Sequence, residues 1–177
     1  EYCNVETLHL IFRLDRETSG VVVLAKNRKY ARICQMAIEK REEVQKEYYA
    51  ILEGELKEYT YISKHLARDM DSPVYVKVTV RKSNSSQSAR SHFFPVFARN
   101  GYTLVRIILE TGRKHQIRAH AEWLKHKVVG DKIYGPDANL FLEFAEHGWT
   151  DRLQQMLPMR RQAIHAASIA FNTPEYQ

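Results

Sequence analysis

The stretch Arg13-Leu14-Asp15-Arg16-Glu17-Thr18-Ser19-Gly20 runs directly into Val21-Val22-Val23-Leu24-Ala25-Lys26. It sets an acidic residue in a polar turn closed by glycine, between apolar runs at residues 8–14 and 21–25. Both runs are short and bounded by polar residues, the pattern of buried strands. Turns between strands are where a rigid scaffold presents reactive side chains. Taken alone, Asp15 reads as a turn residue bonded to its own backbone, with Gly20 supplying a left-handed position.

Outward from this turn the hydrophobic period changes. Tyr30, Ile33, Cys34, Ala37 and Ile38 recur at helical spacing, predicting an amphipathic helix over residues 28–44. Tyr48-Tyr49-Ala50-Ile51-Leu52 reads as a strand closed by Glu53-Gly54, and residues 74–80 alternate as a second strand. A polar connector, residues 82–88, follows. Residues 92–98 and 102–109 flank Asn100-Gly101, a hairpin signal because both turn residues tolerate positive φ. Ile117, Ala121 and Leu124 form one apolar stripe, predicting a helix over residues 114–127. Beyond the Gly135-Pro136 loop, helices are expected over 140–146 and 150–156, then a strand over 163–171 that Thr173-Pro174 ends. No repeat or long linker interrupts the pattern. The expected fold is α+β: a single domain, 1–177, with a mixed, mainly antiparallel sheet and flanking helices.

The chain has 177 residues, 44% of them hydrophobic, enough for one sizeable core. Its charged fraction of 27% excludes wholesale disorder. Lys and Arg number 27 against 21 Asp and Glu, a net charge of +6 that favours a polyanionic partner, nucleic acid first. The two cysteines, Cys3 and Cys34, form neither a disulfide framework nor a metal knuckle and read as buried thiols. No run is long enough to span a bilayer, so no membrane association is expected. The chain opens on Glu1-Tyr2-Cys3 without an initiator methionine, which leaves room for an N-terminal segment absent from this sequence.

Two further blocks carry candidate chemistry. Thr111-Gly112-Arg113-Lys114-His115-Gln116-Ile117-Arg118-Ala119-His120 gathers cations at a helix start, where the macrodipole disfavours them. Anion recognition explains this better than stability does, with phosphates or the Asp15 carboxylate as counter-charge. His115 and His120 stand five apart and do not share a helical face, so no metal site is expected. In Lys46-Glu47-Tyr48-Tyr49-Ala50 the tyrosines alternate across a strand, one facing the core and one open to line a cleft. An aromatic ring beside basic surface offers a stacking platform for an unpaired base. No nucleophile elbow, Walker loop or dinucleotide fingerprint is present.

In order and approximate spacing these blocks resemble the RluA-type RNA pseudouridine synthases. That family's signature His-Arg-Leu-Asp-x-x-Thr-Ser-Gly matches residues 12–20, with Phe12 where the family has histidine. Its Lys-x-Tyr-x-Ala block ending in Gly matches residues 46–54, and Gly-Arg-x-His-Gln-Leu/Ile-Arg-x-His matches residues 112–120. Gly-Asp-x-x-Tyr-Gly matches residues 130–135, and Ala163-Ile164-His165-Ala166 is similar to a late His-Ala segment. Family members carry further N-terminal sequence, which this chain is expected to lack.

The resemblance implies isomerisation of a uridine in RNA, ribosomal or transfer, to pseudouridine. That reaction is redox-neutral, and neither cofactor nor metal is implied. Asp15 is implied as nucleophile, or as the group assisting glycosidic cleavage; Tyr48 stacks on the base and helps remove its carbon-5 proton; Arg118 is the active-site arginine. An ionised carboxylate in a partly dry pocket calls for a hydrogen-bonded Asp15–Arg118 pair. Substrate contacts are expected from Arg13, Arg16, Thr18, Arg113, Lys114, His115, Gln116 and Ile117, the last as an apolar wall. A monomer in the cytoplasm is the expected state. The alternative is a catalytically inactive RNA-binding module with the same fold.

Overall fold

The computed structural model describes residues 7–40 and 44–172. In chain order the elements are β1 (His9–Leu10), β2 (Ser19–Gly20), β3 (Leu24–Ala25), α1 (Arg28–Lys40), β4 (Val44–Glu53), β5 (Thr60–Arg68), β6 (Val78–Val80), β7 (Gln87–Arg99), β8 (Tyr102–Leu109), α2 (Gln116–Trp123), α3 (Asn139–His147), α4 (Asp151–Met156) and β9 (Ile164–Phe171). Seven strands make one sheet in the order β2-β9-β4-β8-β7-β5-β6. Every pairing in it is antiparallel except β2 with β9, and β1 pairs separately with β3. The mixed, mainly antiparallel α+β fold is therefore the one expected from the sequence.

Strand alternation builds one buried face. Ala50 and Leu52 on β4, Val105 and Ile107 on β8, Phe93 on β7 and Ile62 on β5 all point inward, where Ile117 and Ala121 of α2 close over them. Asn100, at φ 53°, and Gly101 make the turn of the β7–β8 hairpin. Helix α2 is shorter than residues 114–127, because Lys125 turns left-handed at φ 67°. His126 N then bonds Ala121 O at 3.0 Å and Lys125 N bonds Glu122 O at 3.0 Å, which closes the helix in a Schellman arrangement. Val128 continues as a bridge to Leu52. Helices α3 and α4 have their own small core of Leu140, Leu153 and Leu157, and Thr150 caps α4.

Several expectations need correction. The apolar runs around Asp15 are not long buried strands. Leu10, Val22 and Leu24 are exposed, and only two-residue ladders form there. Residues 74–76 form a turn, with Lys77 N bonded to Val74 O, so the second predicted strand is confined to β6. Strand β5 escaped sequence reading because only Ile62, Leu66 and Ala67 of its nine residues are buried. The polar connector is a compact turn in which Ser86 N bonds Ser83 O at 3.1 Å, and β7 already begins at Gln87. Helix α1 ends at Lys40, and Val44 already belongs to β4. Cys34 is half-buried with a free thiol; Cys3 and the Thr173-Pro174 break lie outside the described residues.

Gly20 is where the Asp15 turn locks to the sheet. Its φ is +113°, and a Cβ there would stand 2.1 Å from the carbonyl oxygen of Ala166. The next residue, Val21, donates its N–H to that same oxygen at 2.9 Å. Both strain and collision oppose any side chain at this position. Gly20→Ala is expected to lower stability by about 2 kcal/mol or more, read as a lower Tm in thermal unfolding.

Candidate active site

The Asp15 turn is closed by Thr18 N bonding Asp15 O at 3.0 Å. Long-range contacts fix it on both sides. Gln162 Nε2 donates to Thr18 Oγ1 at 2.7 Å, and Ser19 Oγ lies 3.0 Å from His165 Nδ1. Lys132, 2% exposed, reaches Glu17 Oε1 at 2.7 Å and Arg160 O at 2.5 Å. So held, Asp15 directs Oδ2 to Arg118 Nη1 at 3.0 Å, the pair expected from the sequence.

Arg118 does more than face Asp15. Its Nε and Nη2 form a fork onto Asp131, at 2.6 and 2.8 Å, and the Asp131 side chain is 0% exposed. Asp131 also accepts the N–H groups of Ile133 at 2.9 Å and Tyr134 at 3.0 Å. Burial alone would raise the Asp131 carboxyl. The Arg118 hydrogen bonds and charge, with the two backbone donors, outweigh it and hold the group below the ordinary carboxylate value. Burial likewise opposes the Arg118 charge, and Asp131 and Asp15 together push the guanidinium above its usual value. The Tyr134 ring covers the guanidinium at 4.9 Å.

Sequence reading placed Asp131 inside a quoted block but gave it no role. Its signal was the bracketing glycines. A Cβ at Gly135 would sit 2.1 Å from Asp131 O, so only glycine lets this loop fold against itself. Lys132 and Tyr134 stood in the same block without a role, and Gln162 was missed altogether, since their partners lie far away in sequence.

Tyr48 stands on the inward side of β4, half-buried against the core cluster that contains Ile117. A bulge at Glu47/Tyr48, opposite β9, offsets the register at this residue. Core and cleft thus share one side of the sheet, while Tyr49 projects to the other face. Burial, and then the Asp15 charge, push the Tyr48 phenol up to about 12. It is a neutral ring at neutral pH, suited to stacking and to donating a hydrogen bond. Lys46, two residues earlier on the same side, has its ammonium 5.5 Å from the centroid of the Phe12 ring. It also lines a cavity of about 240 Å³ together with Thr111, Gly112 and Arg113.

The remaining expected contact residues divide by location. Arg13, Arg16 and Lys114 are exposed, and Arg113 is half-buried, its Nε bonded to Ser88 O at 3.1 Å. Thr18 and Ile117 serve the turn tether and the core as described. Gln116 is 2% exposed, and its amide is fully used within the protein. Oε1 accepts from Thr111 Oγ1 and Arg113 N, and Nε2 donates to Arg90 O and Ser91 Oγ. It therefore fixes the turn that launches α2. His115 and His120 are held apart, by Tyr134 and by Ser91 respectively.

With this geometry established, comparison with known proteins is decisive. A family model described as RNA pseudouridylate synthase matches residues 1–123. The chain belongs to this family, in its RluA-type branch. Within the family it is 36% identical over 170 residues to a Bacillus subtilis protein, "Uncharacterized RNA pseudouridine synthase YhcT", covering 94% of this chain and 53% of that protein. It is 32% identical over 166 residues to "Ribosomal large subunit pseudouridine synthase D" of Vibrio cholerae, covering 93% and 48%. The solved structure of "Human RNA Pseudouridylate Synthase Domain Containing 1" shares the fold at a TM-score of 0.76 and 24% identity, over 96% of this chain and 66% of that one. The chain thus spans about half the length of the curated relatives it matches.

Two outcomes follow for this site. Asp131→Asn leaves Arg118 with a buried amide in place of its ionic fork and is expected to cost about 3 kcal/mol in chemical denaturation. His120 is fully buried, and burial pushes its imidazole down from 6.5 to about 4. Between those values the unfolded chain binds the extra proton. Its contribution is therefore fully present above 6.5 and is lost as pH falls toward 4. Between pH 6.5 and about 4 the unfolding free energy from chemical denaturation is expected to fall by about 1.4 kcal/mol per pH unit for this group. His120→Gln is expected to flatten the slope by that share.

Proposed function

We propose that this chain isomerises a uridine in RNA to pseudouridine, with Asp15 as nucleophile, Arg118 as its partner and Tyr48 as the stacking surface. The observation that carries the reading is the bridging guanidinium. Arg118 is locked by buried Asp131 and has one remaining nitrogen directed at Asp15. A carboxylate positioned this way, with 28% of its side chain exposed, is reachable by substrate while its charge is partnered.

In the reaction the bond from ribose C1′ to N1 breaks and a bond from C1′ to C5 forms. The C5 proton leaves, N1 gains a proton, and no atom is gained or lost overall. A stacked or paired uridine cannot reach Asp15, so it flips out of its helix at an expense of a few kcal/mol. Arg13, Arg16, Arg113 and Lys114 take phosphates and offset part of that expense. The substrate is ribosomal or transfer RNA, and the protein acts as a cytoplasmic monomer. The neutral Tyr48 phenol favours stacking and hydrogen-bond donation over service as a resting base. The 3.0 Å Asp15–Arg118 contact supports catalysis over a module that only binds RNA.

Pseudouridine mapping of RNA exposed to the chain tests this reading. Modification is expected with the unaltered chain and is expected to fall at least about a thousandfold with Asp15→Asn. Equal modification by both proteins would remove Asp15 from its role.

A further inference from the structure

We propose that His115 determines sugar specificity in this site, its Nε2 accepting a hydrogen bond from the 2′-hydroxyl of the target uridine. The inference rests on the isomerase reading above and adds a residue-level basis for choosing RNA over DNA.

The backbone provides the first observation. His115 opens α2 at φ 51° and ψ 22°, a left-handed conformation that non-glycine residues seldom adopt. Such conformations persist where their surroundings hold them, and they gather at functional sites. Here the ring stands edge-on to Tyr134, at 5.7 Å between centroids and an interplanar angle of 79°.

Hydrogen-bond accounting then fixes the tautomer. Tyr134 has one hydroxyl proton, and it goes to Val78 O at 3.0 Å, since a carbonyl can only accept. Val78 N–H donates back to the phenolic oxygen at 3.0 Å. The contact between His115 Nδ1 and that oxygen, at 3.1 Å, must then be Nδ1–H donating. The lone pair of the neutral ring is left on Nε2.

That lone pair is available. His115 is half-buried, and its Nε2 has no protein partner among the described residues, yet it is not among the sealed unpaired atoms. His120 Nε2, by contrast, is unpaired and sealed inside the core. Burial, and then the Arg118 charge, keep His115 neutral by pushing it down to about 4, which preserves the acceptor. Asp15 also acts on the ring electrostatically, and Arg118 lies three residues further along the same helix face.

Uridine offers two donors, the base N3–H and the ribose 2′-hydroxyl. A carboxylate working at C1′ or C6 stands beside the sugar. N3 lies across the ring from C6, whereas the 2′-hydroxyl is on the carbon next to C1′. His115 shares the Tyr134 ring with Arg118, the partner of Asp15, and on that side of the site the sugar hydroxyl is the donor it meets.

The test uses one hairpin RNA with a single loop uridine, prepared in ribo, 2′-deoxy and 3-methyl forms. Binding and conversion are measured for the full chain, His115→Asn and Tyr134→Phe. Asparagine tolerates the left-handed backbone, so His115→Asn removes Nε2 without demanding a new turn. The unaltered chain is expected to prefer the ribo over the 2′-deoxy form by about tenfold in affinity. His115→Asn is expected to abolish most of that ratio, and Tyr134→Phe, which frees the tautomer, to reduce it. Discrimination against 3-methyluridine is expected to be unchanged in both variants. An unaltered ribo/2′-deoxy ratio in His115→Asn overturns the inference, even if overall affinity drops. So does a lost 3-methyl discrimination in its place. Failure of the unaltered chain to convert a mapped substrate would instead count against the isomerase reading, while the binding ratio still decides the role of His115.

Discussion

One guanidinium serving two carboxylates is the constraint on which this site depends. Asp131 is sealed from water, so its charge has to be satisfied within the protein, and Arg118 supplies two of its four donors. This fixes the plane of Arg118 whether or not Asp15 is present. The nitrogen left over points at the turn, and its direction is set by the buried fork. Lysine, a point charge on a flexible stem, could not grip Asp131 bidentately and reach Asp15 at the same time. Helix α2 is buried along Ile117, Ala119 and Ala121, which gives Arg118 a stationary base.

Charge in the pocket is sorted by burial. Tyr48 and His115 are each pushed away from neutral pH in the direction that removes their charge, up to about 12 and down to about 4. The ion pairs of the pocket are left to Arg118 with Asp131 and Asp15. The excess cations of the basic block stay outside, with Lys114 exposed in solvent. The anomaly of cations at a helix start is thus resolved for Arg118 by carboxylates of the same chain.

Features set by local chemistry could be read from the sequence alone. Asn100-Gly101 specified its hairpin because backbone sterics at two residues decide it. The stripe of Ile117 and Ala121 specified α2, although the left-handed turn at Lys125 stopped the helix early. The Asp15–Arg118 pair was expected because a carboxylate in a dry pocket requires a cation, and the family resemblance singled out Arg118 within the basic block. Asp131 was not, because its burial comes from the fold and not from its neighbours in sequence. Lys132 was invisible for a related reason: its carboxylate partner, Glu17, lies 115 positions away. The runs beside Asp15 looked like buried strands, yet Leu10, Val22 and Leu24 stay exposed, with too little cover among the described residues to bury them.

The parallel contact of β2 with β9 carries a consequence for biosynthesis. Ser19 meets His165 across 146 positions, and Gly20 needs the Ala166 backbone to seat against. On the ribosome the Asp15 turn is made well before its mould, which follows it in the chain. A nascent chain that has not reached residues 162–166 lacks the β9 side of the turn's support, the contacts to Gln162, His165 and Ala166. Such long-range closure is slow, so the turn that carries Asp15 is fully set only as β9 joins the sheet.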